Sequence, residues 1–162
     1  RLTVDEITEA YSDLLTKLKA LYPNLNVVFS VSPIRHWKDG AHENTISKST
    51  LLLAVDALQN QFGNVHYFPA YELLMDELRD YRFYAEDMLH PNQTAIDYIW
   101  IQFFENYVSE SVFGLMNEIC SIQKGLQHRP FNPNTESHQK FLNQLDLKIK
   151  TIKNQYPFIK FC

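Results

Sequence analysis

The stretch Asn26-Val27-Val28-Phe29-Ser30-Val31 decides the fold of this chain. Most of its residues favour β-structure and it is apolar on both faces, which is typical of a strand buried in a parallel sheet. A second such segment, Val65-His66-Tyr67-Phe68, follows a helical pattern over about Ile46–Phe62. Strands that alternate with crossover helices predict an α/β fold, with a parallel sheet covered by helices on both faces.

Further helices are predicted on either side of the two strands. Thr3 and Glu6 form a capping-box pattern before an apolar helical repeat that ends at Pro23. A short helix is predicted from Pro69 through Leu78, and Asn92 is a good N-cap for another. The apolar stripe of that last helix comprises Ile96, Ile99, Trp100, Phe103, Phe104, Tyr107 and Val108.

The tail of the chain has a different pattern, in which apolar residues are spaced alternately three and four apart. Two such seams are joined by Arg129-Pro130-Phe131-Asn132-Pro133-Asn134, which predicts an antiparallel helical hairpin. The seam positions are Val112, Leu115, Ile119, Ile122 and Leu126, followed by Leu142, Leu145, Ile149, Ile152 and Tyr156. We therefore expect an α/β domain over residues 1–108 and a helical extension packed on it over residues 109–162.

Composition narrows the classes of partner. The net charge is −4 and no basic face is apparent, so no nucleic-acid partner is predicted. The longest apolar run, Leu51–Val55, is too short to span a bilayer. Cys120 and Cys162 match neither a disulfide framework nor a metal knuckle, and no motif predicts a cofactor. The chain opens on Arg1 rather than Met, so the sequence makes no prediction of compartment.

The number of strands raises a question of completeness. Two parallel strands make a poor sheet, since three or more are normally needed for independent stability. Either another strand lies in Tyr81–Glu86, or the chain supplies the later part of a larger sheet, and we prefer the second interpretation. The unpaired edge of such a sheet is expected to favour oligomers.

The candidate catalytic residues lie in Asp87-Met88-Leu89-His90-Pro91-Asn92. A buried Asp that accepts a hydrogen bond from one imidazole nitrogen fixes the tautomer and steadies the imidazolium. Pro91 favours extended backbone at His90, so we expect the imidazole on a rigid corner. The motif predicts His90 as a general base that Asp87 orients. The alternative is a capping Asp and a His that closes a turn.

Other candidate site residues follow the ends of the predicted strands, where sites form in parallel α/β sheets. The loop after the first strand brings Ser32, Arg35 and His36, and the segment after the second brings Tyr71. We predict these four residues to bind substrate, with Arg35 and His36 contacting an anionic group or an oxyanion. They would otherwise fix the loop, and Tyr71 would belong to the core.

The nucleophile is not marked by any motif, because neither Gly-x-Ser-x-Gly nor Gly-Asp-Ser occurs. Ser30 and Ser32 lie at a strand end without a sign of activation, and Cys120 is predicted on a packing face. One alternative is therefore a metal-dependent hydrolase. Its candidate ligands are Asp87, His90, His36, His42, Asp39 and Glu43. Another alternative is a binding or assembly module without turnover.

Several blocks carry a resemblance to a known family. They are Ser32-Pro-Ile-Arg-His36-Trp-Lys-Asp-Gly40 with Glu43-Asn44 and Ser47-Lys48, Tyr67-Phe-Pro-Ala-Tyr71-Glu72, Asp76 through Pro91, and His128-Arg-Pro-Phe-Asn-Pro133. Over almost its whole length the sequence resembles the GSCFA-domain family. The resemblance implies an SGNH, or GDSL-type, hydrolase with a flavodoxin-like three-layer α/β/α fold. It also implies a serine esterase or acyl-hydrolase acting on a small-molecule or carbohydrate ester.

In that superfamily an Asp-x-x-His block supplies the acid and base of the catalytic triad, which corresponds here to Asp87 and His90. The Gly-Ser-Cys-Phe-Ala motif, whose Ser would be the nucleophile, does not occur in this sequence. The upstream Gly and Asn oxyanion blocks are missing as well. The resemblance therefore implies the C-terminal half of a GSCFA domain, without the first strands of its sheet.

Overall fold

The computed structural model describes residues 1–161, so Cys162, one of the two cysteines noted above, lies outside the described residues. The chain divides into two compact units, Arg1–Tyr107 and a second one that begins at Val108. The first unit has mixed α/β structure and the second is helical. None of the helices formed by residues 1–161 combines the length and apolarity needed to cross a bilayer.

The first unit contains a parallel pair of strands, as the sequence predicts. Strand β1 (Val27–Phe29) pairs with strand β2 (Val65–Tyr67) in a register that places Val27 opposite Val65. Both strands are shorter than predicted, although the amide of Phe68 still donates to the Phe29 carbonyl at 2.8 Å. Pro33, which has no amide proton to donate, lies just beyond the end of the first segment.

Two helices and the strands share one apolar cluster. Helix α1 (Val4–Leu21) begins at Thr3, whose capping box with Glu6 is formed as predicted. Helix α2 (Gly40–Gln61) connects β1 to β2 and begins earlier than predicted, after a 3₁₀ turn at Trp37–Asp39. Leu15 of α1, Leu58 of α2 and Val65 of β2 are buried together.

The apolar run Leu51–Val55 of α2 is only partly buried. Leu51 and Leu53 are exposed, whereas Ala54 and Leu58 are buried. One face of the helix therefore packs on α1 and the strands, while the other faces solvent. The two exposed leucines add to the apolar surface of the unit rather than to its core.

A second apolar region lies beyond the end of β2. The predicted helix from Pro69 consists of one α-helical turn, α3 (Ala70–Glu72), which continues as a π-helical turn over Leu73–Glu77. It packs against α4 (Gln93–Tyr107) through a cluster that includes Phe68, Leu73, Ile99 and Phe103. The predicted cap of α4 is formed, because the Asn92 Oδ1 accepts the Ala95 amide at 3.1 Å. The apolar stripe is narrower than predicted, since Ile96 and Trp100 are exposed.

The segment Tyr81–Glu86 does not form the extra strand that one interpretation required. It contains a 3₁₀ turn over Tyr81–Phe83 and a single antiparallel bridge between Tyr84 and Pro91. Within residues 1–161, β1 and β2 are the only strands of the sheet, so each has one edge without a partner strand.

The second unit contains a 3₁₀ turn at Glu110–Val112, helix α5 (Phe113–Gln127) and helix α6 (Glu136–Gln155), which Thr135 caps. Ile122 of α5 and Leu145 and Ile152 of α6 form its buried core. The helices occupy the predicted segments, and their antiparallel arrangement stays a prediction. Some predicted seam residues are exposed, namely Val112, Leu126 and Leu142.

Candidate functional site

Asp87 and His90 are in direct contact at the corner that precedes α4. The Oδ2 atom of Asp87 lies 2.6 Å from Nδ1 of His90. Both side chains are accessible, with exposed fractions of 46% for Asp87 and 56% for His90. The expectation of a buried Asp is therefore wrong, whereas the imidazole faces the carboxylate as predicted. The contact occupies Nδ1 and leaves Nε2 of His90 without a partner among residues 1–161.

The backbone around the pair is closed by local hydrogen bonds. The amide of Ala85 donates to the His90 carbonyl at 2.8 Å, and the amide of Asn92 donates to the Phe83 carbonyl at 2.8 Å. Within this closed segment Met88 adopts a φ of 59°, in the left-handed region that residues with a side chain rarely occupy. Asp87 thus sits on a tight and strained turn that fixes its direction.

The carboxylate of Asp87 accepts three hydrogen bonds from the same turn. The amides of Leu89 and His90 both donate to Oδ1 at 2.9 Å, and the imidazole contacts Oδ2. These bonds, the His90 amide foremost, lower the pKa of Asp87 from 3.8 to about 2. The carboxylate is therefore ionised at neutral pH and only accepts hydrogen bonds. It follows that Nδ1 of His90 carries the proton and that Nε2 is the basic atom.

A cavity of about 310 Å³ opens next to this turn. Its lining residues are Arg35, Trp37, Tyr81, Asp87, Met88 and Leu89. The loop after β1 and the turn before α4 are thus brought together, as predicted from the position of sites at strand ends. Of the four residues predicted to bind substrate, only Arg35 lines this cavity.

The guanidinium of Arg35 is held by tyrosines rather than by acids. Its carbon Cζ lies 5.2 Å from the centre of the Tyr84 ring and 6.0 Å from that of Tyr81. Its Nη2 atom donates to the hydroxyl of Tyr84 at 3.4 Å. Tyr84 is buried, so the guanidinium rests on a fixed support. Among residues 1–161, no carboxylate lies within 4.0 Å of it.

The other three predicted binding residues lie outside the cavity lining. The Ser32 hydroxyl accepts the Ile34 amide at 3.3 Å, and the His36 amide donates to Asn44 at 2.9 Å, so both residues shape the loop. Tyr71 is half-buried, and burial is the main cause that raises the pKa of its hydroxyl. Neighbouring Glu72 raises this pKa further, while the charge of Arg35 lowers it.

Lys48 of α2 is an unusual buried residue, because only 2% of it is exposed. Its Nζ atom donates to the backbone carbonyl of Ser32 at 2.6 Å. Burial lowers the pKa of Lys48 below its usual value of 10.5. A lysine buried in this way ties the loop that carries Arg35 to the helix that follows it.

The described residues contain neither an activated hydroxyl near His90 nor a cluster of metal ligands. The His90 imidazole hydrogen-bonds Asp87 alone among residues 1–161. Over the same residues, no three His, Cys, Asp or Glu side chains are grouped so as to hold a metal. Glu43, one of the suggested ligands, instead pairs with Arg1 at 3.0 Å. The expectation that Cys120 lies on a packing face is wrong, because its side chain is exposed.

The sequence predicts no role for Trp37, Tyr81 or Lys48. All three lie within the blocks that carry the family resemblance. For Trp37 and Tyr81, the available signal was an aromatic residue in a polar turn close to Arg35 or Asp87. For Lys48, no sequence pattern distinguishes this buried lysine from one on the solvated face of a helix.

Comparisons with known proteins give two family matches that together cover most of the chain. Residues 1–103 match the model of the GSCFA family. Residues 119–162 match the model described as GSCFA domain protein, C-terminal domain. No curated protein and no solved structure gives a significant match to the chain. The matches confirm the resemblance noted in the sequence, and the chain belongs to the GSCFA family.

Proposed function

We propose that this chain supplies the general base, His90, and its orienting carboxylate, Asp87, to an SGNH-type serine esterase or acyl-hydrolase. The observation that carries the proposal is the 2.6 Å contact between Asp87 Oδ2 and His90 Nδ1. General-base catalysis by a histidine requires an ionised carboxylate on one imidazole nitrogen and a free, accessible second nitrogen. The substrate is an ester of a small molecule or a carbohydrate.

The roles of the two residues follow from this arrangement. Nε2 of His90 takes the proton of an attacking hydroxyl, whose oxygen forms a bond to the ester carbonyl carbon. The resulting imidazolium is stabilised by Asp87 and then gives its proton to the departing alkoxide. Water hydrolyses the acyl intermediate by the same proton transfers, and the enzyme returns to its starting state.

The attacking hydroxyl is proposed to come from outside residues 1–162. Ser32, the serine considered at the end of the first strand, uses its hydroxyl to accept the Ile34 amide and does not contact His90. The sequence contains no serine in a nucleophile motif. The proposal therefore treats the chain as one part of a catalytic centre.

We propose that β1 and β2 form part of a flavodoxin-like three-layer α/β/α domain. Their parallel pairing and the crossover helix α2 support this, since such domains are built from these units. The unpaired edges of the two strands supply the positions where further strands would add.

The test is the loss of turnover on substitution of His90 in the native protein. We expect His90→Ala to lower kcat for an activated ester such as p-nitrophenyl acetate by about a thousandfold or more. His66→Ala is the matched control, because the exposed His66 imidazole on β2 hydrogen-bonds Asn26 and lies outside the lining of the cavity. Near-normal turnover of the His90 variant would remove the proposed roles of both residues.

Association through the open sheet edge is a second proposal, and it does not depend on catalysis. An unpaired strand presents amide and carbonyl groups that pair readily with another chain. Val28 of β1 is exposed, which adds apolar surface to the sheet. Light scattering on residues 1–162 alone tests the proposal: we expect a dimer or larger species, and a stable monomer would overturn it.

A further inference from the structure

We infer that the cavity beside Asp87 binds a carboxylate group carried on a flat ring, and that the ester substrate is therefore acidic. This inference rests on the proposed function for its link to a substrate, but its binding step is tested independently of turnover. It assigns Arg35 as the anion-binding residue and Trp37 and Tyr81 as the walls against which the ring packs.

The first support is the charge of Arg35. Its guanidinium reaches the cavity, yet no carboxylate lies within 4.0 Å of it among the described residues. Asp87, the acid that shares the cavity lining, already accepts three hydrogen bonds from its own turn. A cation without an internal counter-ion, in a cavity, is a binding group for an anion.

The second support is the rigidity of that cation. The buried Tyr84 contacts the guanidinium through both its ring and its hydroxyl, and the centre of the Tyr81 ring lies 6.0 Å from its Cζ atom. A guanidinium held in one plane presents paired donors that match the two oxygens of a carboxylate. Pre-orientation lowers the entropy that is lost when the anion binds.

The third support is the surface around the charge. Trp37 and Tyr81 are 60% and 62% exposed, so their rings are accessible to a ligand. Leu89 and Met88 complete an apolar wall. The volume of about 310 Å³ lies at the low end of the range for ligand cavities and suits a single ring. A ring that bears a carboxylate satisfies both the charge and the aromatic walls.

The experiment uses benzoate as the probe and benzamide as its uncharged counterpart. Trp37 and Trp100 are the two tryptophans of the chain, so a Trp100→Phe background makes fluorescence report on Trp37 alone. We expect benzoate to change this fluorescence and to bind about tenfold or more tightly than benzamide, because a charged partner strengthens the hydrogen bonds. Equal binding of the two probes would overturn the inference.

Arg35→Met removes the charge and keeps much of the side-chain length. We expect it to weaken benzoate binding by about tenfold or more and to leave benzamide binding unchanged. Arg82→Met is the matched control, because Arg82 also lies on an aromatic ring, that of Phe83, but pairs with Asp80 outside the cavity. If Arg35→Met does not fold, Arg35→Lys is used, and we expect a smaller loss of benzoate affinity. Unchanged affinity in the folded variant would overturn the inference.

The outcomes for the cavity and for catalysis are separable. If His90→Ala abolishes turnover while benzoate binds without regard to Arg35, the proposed function stands and the anion site is wrong. If benzoate binding depends on Arg35 while His90→Ala keeps its turnover, the anion site stands and the catalytic proposal is wrong.

Discussion

The ammonium of Lys48 and the backbone carbonyl of Ser32 are joined by a hydrogen bond of 2.6 Å beneath the loop that follows β1. Lys48 is almost wholly buried, and no carboxylate among residues 1–161 lies within 4.0 Å of it. A buried charge with a single neutral acceptor is costly, so its protonation is linked to stability.

This linkage predicts a pH dependence of the free energy of unfolding. Burial lowers the pKa of Lys48 in the folded protein below its usual value of 10.5. At a pH between this lowered pKa and 10.5, the unfolded chain binds more protons than the folded protein does. The free energy of unfolding therefore rises with pH over that range. We expect the native protein to gain stability relative to Lys48→Met as the pH rises toward 10.5, measured by urea unfolding. Parallel stability curves for the two proteins would contradict this.

The contribution of Asp87 to the free energy of unfolding changes at acidic pH, whereas that of Lys48 changes at alkaline pH. Its pKa is about 2 in the folded protein against 3.8 ordinarily, so the stabilisation is complete above 3.8 and is lost as the pH falls through 2. We expect the difference in unfolding free energy between the native protein and Asp87→Asn to shrink across that range. An NMR titration of the Asp87 carboxyl carbon provides a direct check, and a midpoint at 3.8 would show that the turn does not hold the charge.

The free energy of unfolding is predicted to depend on the shape of the side chain that replaces Met88. Its φ of 59° disfavours β-branched side chains, whereas asparagine tolerates the left-handed region. We expect Met88→Val to lower the unfolding free energy by about 1–2 kcal/mol and Met88→Asn to leave it equal or slightly higher. Met88 is exposed, so lost packing contributes little to either change. Equal stability of the two variants in thermal unfolding would count against a strained turn.

Two glycines of α5 form a matched pair for testing the packing of the second unit. A methyl group at Gly125 would lie 2.8 Å from Cδ1 of the buried Leu145, whereas one at Gly114 would meet no atom within 4 Å. We expect Gly114→Ala to stabilise by up to about 1 kcal/mol through helix propensity. Gly125→Ala should destabilise, because overpacking costs about 1–3 kcal/mol. Stabilisation by both substitutions would mean that Leu145 moves aside freely.

The sequence predicted the elements whose signals are local. The capping box at Thr3, the cap at Asn92 and the parallel pairing of Val27–Phe29 with Val65–Tyr67 are confirmed. Each cap depends on residues a few positions apart, and each strand is marked by a short run of residues that favour β-structure. The Asp87–His90 contact is of the same kind, since three positions separate the two residues.

The differences arise where burial depends on distant neighbours. Leu51 and Leu53 of α2, and Ile96 and Trp100 of α4, are apolar but exposed, because the helices pack through one face only. Lys48 is charged but buried, because the loop after β1 folds back over it. Hydrophobic pattern alone does not distinguish these cases, since each depends on which element lies opposite.

The cavity beside Asp87 was predicted only in part. Arg35 and Asp87 were placed at one sheet edge by the rule for strand ends, and they do line one cavity. Trp37 and Tyr81 were not assigned to it. Their inclusion depends on two 3₁₀ turns, at Trp37–Asp39 and Tyr81–Phe83, which have no clear sequence pattern.

The closed turn around His90 has a consequence for the order of events in folding. The hydrogen bonds that orient the imidazole all come from residues 82–92, so they close only a short segment of chain. A hairpin of this kind forms in on the order of 1–10 μs. Pairing β1 with β2 instead brings together residues that are far apart in the sequence, such as Val27 and Val65, and such non-local contacts form slowly. We therefore expect the turn that orients the imidazole to close before the two strands pair.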